Sequence, residues 1–155
     1  MVDEAPLPPC GLYRTTVALG DQVPAGRLVY FHNHGDPGPG VYLPSSWRQN
    51  RASFTDQGIL LPGRWWAATL DPLSPEGYYR VRETFYCCEK RCQTFEVDQL
   101  VQLGYSAEGD PLLFVPEIID SVFIVPDRGA RIDRARVGKL QPLKTPVSST
   151  EPGLQ

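Results

Sequence analysis

The chain has 155 residues, of which 41% are apolar and 21% charged, a composition typical of a globular protein. The net charge of −3 argues against nucleic-acid binding, because that binding depends on Lys and Arg neutralising phosphates. We expect a cytoplasmic protein without a membrane span, since the chain has no run of about 18 apolar residues, no signal-peptide pattern and no spaced disulfide framework.

Short strands are predicted throughout the first half of the chain. The 16 prolines and 14 glycines interrupt every apolar run, which favours turns over long helices. Apolar and β-branched stretches between these residues predict strands over residues 12–19, 28–31, 41–43, 52–54 and 59–61. The only helical turn expected in this half covers residues 64–69.

The second half shows the same kind of pattern. Strands are predicted over residues 78–86, 100–105, 112–115 and 130–132, and one more strand over 118–125. Turns are predicted at 106–110 and 126–129, where Gly accompanies Asp or Pro. A second helical turn is expected at 133–139.

Four sequence patterns recur in the same order in the two halves. Residues 6–14 match 72–80 as P-L-x-P-x-G-x-Y-R, and residues 28–44 align with 100–116 without a gap. The pattern D-x-G at residue 56 returns at residue 127, and L-x-P-L at residue 70 returns at residue 140. These matches predict an internal duplication with units at 6–73 and 72–143, although turn residues reused in β proteins could imitate part of it.

Each unit, with about five short strands, resembles an SH3-type barrel in its pattern of strands. The resemblance implies an all-β fold of two tandem five-stranded SH3-like barrels, packed as one body because each alone has a marginal core. The tail at 144–155, rich in Ser, Thr and Pro, is predicted to be disordered.

The two histidines are the best candidates for metal chemistry. The spacing Gly26-x5-His32-x-His34 resembles the opening of the first cupin motif, but that motif's Glu and its later His have no counterpart. A 2-His-1-carboxylate set of His32, His34 and Asp36 would suffice for Fe, Mn or Zn. The alternative is a polar Gly/Pro-rich turn with no cofactor.

Three cysteines lie close together at Cys87, Cys88 and Cys92. The spacing of Cys88 and Cys92 is compatible with zinc, but a fourth ligand such as Cys10 or a His would have to fold in. Neighbouring Lys90 and Arg91 could also lower a thiol pKa for redox sensing. The preferred interpretation is a set of reduced, metal-free thiols on a hairpin.

No nucleophile or phosphate-binding motif is present, so the sequence favours a non-enzymatic protein-binding or assembly module. Its partner would be another protein or a second copy of the chain. The alternative function is a small cupin-like metal-dependent enzyme or sensor. Aromatic side chains and Arg concentrate at binding hot spots, and the predicted binding surface uses such residues together with the histidine loop: His32, His34, Asp36, Tyr42, Trp47, Arg48, Trp65 and Trp66.

Overall fold

The computed structural model describes residues 6–35, 37–144 and 146. The first half contains seven strands and one short helix: β1 (Gly11–Arg14), β2 (Leu28–His32), β3 (Gly40–Tyr42), β4 (Pro44–Arg48), β5 (Arg51–Phe54), β6 (Ile59–Leu60), α1 (Arg64–Ala67) and β7 (Asp71–Pro72).

The second half contains nine strands and a 3₁₀ helix at Arg134–Lys139. Its strands are β8 (Gly77–Val81), β9 (Phe85–Tyr86), β10 (Thr94–Phe95), β11 (Leu100–Tyr105), β12 (Pro111–Phe114), β13 (Glu117–Ile119), β14 (Val122–Ile124), β15 (Ala130–Arg131) and β16 (Leu140–Pro142). The prediction of a mostly β protein with short helical turns is therefore confirmed.

Two five-stranded sheets carry the fold, and their strands are connected in the same way. The first has the order β6-β3-β2-β1-β7 and the second β15-β12-β11-β8-β16. In each, the third strand leads into a separate hairpin, and a helical turn precedes the last strand. Within the described residues the outer strands of a sheet do not pair with each other, so no closed barrel is formed.

The pairing registers of the two sheets follow the sequence repeats. Gly11 pairs with Phe31 in the first sheet, and in the second Gly77 pairs with Leu103. These partners lie 66 and 72 residues further along, which are the offsets of their sequence matches. The outer strands keep the offsets of 71 and 70 in the same way. Because a slip of one residue would turn every side chain to the other face, matched positions face the same way in both sheets.

Two apolar clusters form the core, and the second of them joins the sheets. The first contains Tyr13, Val29, Phe31, Val41 and Trp66 among its buried members. The second gathers residues of β8, β11 and β12 around Phe95, and it also takes in Leu28 of the first sheet. Leu28 further donates its backbone N–H to the carbonyl of Ala107 at 2.8 Å. The two sheets therefore share buried surface, each buried Leu or Val contributing about 1.5–3 kcal/mol.

Two predictions about the elements are wrong. The single strand predicted over 118–125 is the hairpin β13–β14, which turns at Asp120 and Ser121. Phe123, expected to point inward, is exposed. Several short strands, β4, β7, β9, β10 and β16, were not predicted, because their sequences carry polar residues, Pro or Cys instead of apolar runs.

No helix in the described parts of the chain is long and apolar enough to cross a membrane. The tail predicted as disordered falls almost entirely outside the described residues.

Candidate functional site

The structure divides the predicted tryptophan surface. Trp47 lies on β4 with 42% of its surface exposed, and its indole Nε1 donates to the carbonyl of Tyr105 at 2.9 Å. Trp65 is also half exposed. Trp66, in contrast, is fully buried, so its place in a binding surface is wrong. Neighbouring residues of α1 point to different sides of the helix, which sends one ring outward and the next into the core.

The other predicted surface residues occupy different positions on the first sheet and its hairpin. Tyr42 on β3 is half buried, with its ring edge-on to Tyr30 at a centroid distance of 6.4 Å. Arg48 is exposed at the end of β4. Asp36 lies outside the described residues, so its proposed role as a metal ligand with the two histidines stays a prediction.

The two histidines lie together, and the structure brings Cys10 to them. The His32 and His34 rings are 4.1 Å apart between centroids. The Cys10 sulfur is 3.6 Å from Nδ1 of His32 and 4.0 Å from Nδ1 of His34. Cys10 had been considered only as a partner for the other cysteines. Its convergence with the histidines depends on the register of β1 and β2, which sequence alone does not supply.

The remaining thiols form a second cluster in the loop between β9 and β10. The Cys87 and Cys88 sulfurs are 3.6 Å apart, and Cys92 completes the group. Hydrogen bonds from the backbone N–H of Lys90 and from the neighbouring thiol lower the pKa of Cys88. The charge on Cys88 in turn raises the pKa of Cys92. The four cysteines are free, and Cys87 is buried while Cys92 is exposed.

The hairpin β13–β14 carries the largest exposed apolar surface among the described elements. Ile118 is 75% exposed and Phe123 is 55% exposed, and three further apolar side chains of the hairpin are also exposed: Ile119, Val122 and Ile124. The two strands pair only with each other. We call this surface the apolar hairpin, residues 117–124.

The hairpin β4–β5 occupies the same place in the first half, and it is docked. It turns at Gln49 and Asn50, which both have positive φ, as Asp120 and Ser121 have in the apolar hairpin. Its end pairs are Arg48 with Arg51, matching Ile119 with Val122 at an offset of 71. The two hairpins therefore have the same turn geometry and the same register.

Contacts of β4–β5 cross from the first half to the second sheet. The Asn50 amide donates to Gln102 Oε1 at 2.9 Å, and the Gln102 amide donates to the carbonyl of Gln49 at 3.0 Å. The backbone N–H of Ala52 donates to the Glu76 carboxylate, whose pKa is raised by burial. Gln102, although polar, is buried beneath this hairpin. A hairpin of this kind is therefore a docking element of the fold.

No known protein family, curated protein or solved structure matches the chain.

Proposed function

We propose that the protein is a non-enzymatic assembly module, in which the apolar hairpin of one molecule docks on a second copy of the chain. The supporting observation is the exposure of five large apolar side chains on a hairpin whose counterpart, β4–β5, is docked on a sheet. An exposed apolar patch of this kind is typical of an interaction site.

The apolar hairpin lacks the support that a two-stranded element needs. An isolated hairpin is marginally stable in water and normally packs on a third strand or another layer. Ile118 and Phe123 lie at the positions of Trp47 and Ala52 in the docked hairpin. Docking would bury these side chains and would stabilise the hairpin together with the complex.

The proposed acceptor is the outer face of the first sheet. If the two halves are duplicated SH3-like units, as the matched registers support, hairpin β4–β5 docks on the next unit along the chain. The apolar hairpin has no following unit in its own chain up to residue 144, so the next unit is supplied by another molecule. The strand equivalent to β11 is then β2, and the position of Gln102 is taken by Tyr30.

The chemistry of the two faces fits this exchange. In the docked pair, polar Asn50 meets polar Gln102. In the proposed pair, the apolar hairpin meets Tyr30, which borders a cleft of about 500 Å³ whose lining includes Leu12, Phe54 and Leu73. Because the donor and acceptor surfaces differ, the contact is heterologous and gives chains or rings instead of a closed two-fold dimer.

Sedimentation of the purified protein over a range of concentrations tests the proposal. We expect species larger than a monomer that grow with concentration. Phe123→Asp should weaken association by about 2 kcal/mol, or ~30-fold, if Phe123 is a hot spot. Val97→Asp is the matched control, because Val97 is a comparably exposed apolar residue outside the hairpin. A monomer at every concentration, or equal loss in both variants, would contradict the proposal.

A further inference from the structure

We propose that Cys10, His32 and His34 form a binding site for a divalent transition metal, with zinc as the expected ion. The three side chains offer one sulfur and two nitrogens, and these ligand atoms all lie within 4.8 Å of one another. Thiolate and imidazole are the ligands that zinc prefers in proteins. The assembly proposal assigns no role to this cluster, and the apolar hairpin contributes no ligand to it.

The distances already match those around a bound zinc ion. Zinc lies about 2.3 Å from a thiolate and about 2.05 Å from an imidazole nitrogen, so a tetrahedral site places sulfur and nitrogen ~3.6 Å apart. The observed separations between the Cys10 sulfur and the two Nδ1 atoms are 3.6 and 4.0 Å. Metal binding therefore requires only small movements of the side chains.

The first sheet holds the ligands in place. Gly11 of β1 pairs with Phe31 of β2, so Cys10 and His32, the next residues outward, lie opposite each other. His34 follows two residues later and stacks against His32. Residues 22 and 24 positions apart are thus brought together by strand pairing, and little conformational entropy is lost when the metal binds.

Asn33 supports the site from its second shell of contacts. Its backbone N–H donates to the Cys10 sulfur at 3.2 Å, which favours the thiolate that binds metal. Its side-chain Oδ1 lies 3.3 Å from the same sulfur and 2.7 Å from Nδ1 of His34. Its amide nitrogen is fixed by the carbonyl of Pro8 at 3.2 Å.

These contacts also describe what metal binding displaces. Without metal, Asn33 Oδ1 accepts the protons of the thiol and of the imidazole. With metal, the thiol proton leaves to solvent and the sulfur binds as thiolate, so affinity rises with pH. Three protein ligands leave one tetrahedral position for water or a small exogenous ligand. His34 is exposed, so this position lies near solvent.

Cobalt(II) is a suitable probe, because a cobalt–thiolate bond adds a charge-transfer absorption in the near ultraviolet. The background protein is Cys88→Ser/Cys92→Ser, which removes two of the three other thiols and keeps the buried Cys87. We expect one equivalent of cobalt to give this absorption and zinc to displace it. Zinc should also raise the melting temperature of the background protein.

Each ligand is then tested in that background. Cys10→Ser should abolish the cobalt–sulfur absorption, and His34→Ala should weaken cobalt binding at least tenfold. Because His34 is exposed, its variant is expected to fold, as circular dichroism will verify. Thr84→Ser, outside the cluster, serves as a control that keeps full binding. An absent absorption, or one that persists in Cys10→Ser, would overturn the proposal.

Discussion

At the scale of single residues, one hydrogen bond occurs at matched positions in both halves. The Tyr13 hydroxyl donates to the carbonyl of Pro9 at 2.7 Å, and the Tyr79 hydroxyl donates to that of Pro75 at 2.6 Å. Both rings are buried, and burial raises the pKa of both phenols. Each bond ties the segment preceding a first strand to that strand.

We therefore expect Tyr13→Phe and Tyr79→Phe to destabilise the protein to a similar extent. Each substitution removes one hydrogen bond and leaves the ring in place, so the free energy of unfolding should fall by about 1 kcal/mol. Chemical unfolding of the two variants beside the wild type measures this. Tyr78→Phe is the control, since that neighbouring ring is exposed. A loss in one variant alone would mean that the two bonds are not equivalent in energy.

Single residues also mark where sequence reasoning stops. Phe123 and Trp66 are both large and apolar, and both were placed on the wrong side of the surface. Whether such a side chain is buried depends on which element covers its strand or helix, and that partner is distant in sequence. Cys10 was found beside the histidines for the same reason, because strand pairing places it there.

At the scale of elements, the docked hairpin β4–β5 depends on a glycine in the facing strand. A Cβ added to Gly104 of β11 would lie 2.7 Å from the carbonyl oxygen of Asn50 and 3.2 Å from the Phe114 ring. The first of these is a backbone atom, so the hairpin itself would have to move. Gly104 is thus the position at which the strand admits the hairpin tip.

Gly104→Ala is accordingly expected to destabilise the protein by about 1–3 kcal/mol, as overpacking of a close contact does. Gly138→Ala is the matched control, because its added Cβ would meet nothing within 4 Å. Thermal unfolding compares them, and Trp47 fluorescence should report the displaced hairpin. Equal melting temperatures for the two variants would contradict this account of the docking.

Strands with apolar runs were predicted correctly because their pattern is local. The alignment of 28–44 with 100–116 predicted two equivalent hairpins, and β2–β3 and β11–β12 pair with the same register. The hairpin β9–β10 was missed because its loop is built from cysteines and charged residues. The sheet orders could not be predicted, since they depend on pairings between strands far apart in the chain.

At the scale of the whole molecule, the fold has an unequal pair of ends. Its first half places a hairpin on its second half, and its second half presents a hairpin to solvent. The first sheet has an outer face bordered by an apolar cleft, whereas the corresponding face of the second sheet is covered. A donor at one end and an acceptor at the other are the requirements for head-to-tail association.

A mixing experiment by analytical ultracentrifugation tests this central claim most directly. Phe123→Asp removes the donor, and Tyr30→Gln gives the acceptor the residue found at the matched position 102. Each variant alone should remain monomeric, with a melting curve that verifies its fold. Mixed in equal amounts, they should form a 1:1 dimer and nothing larger, because the mixture retains one intact donor and one intact acceptor. A mixture that stays monomeric, at concentrations where the wild type associates, would contradict head-to-tail docking.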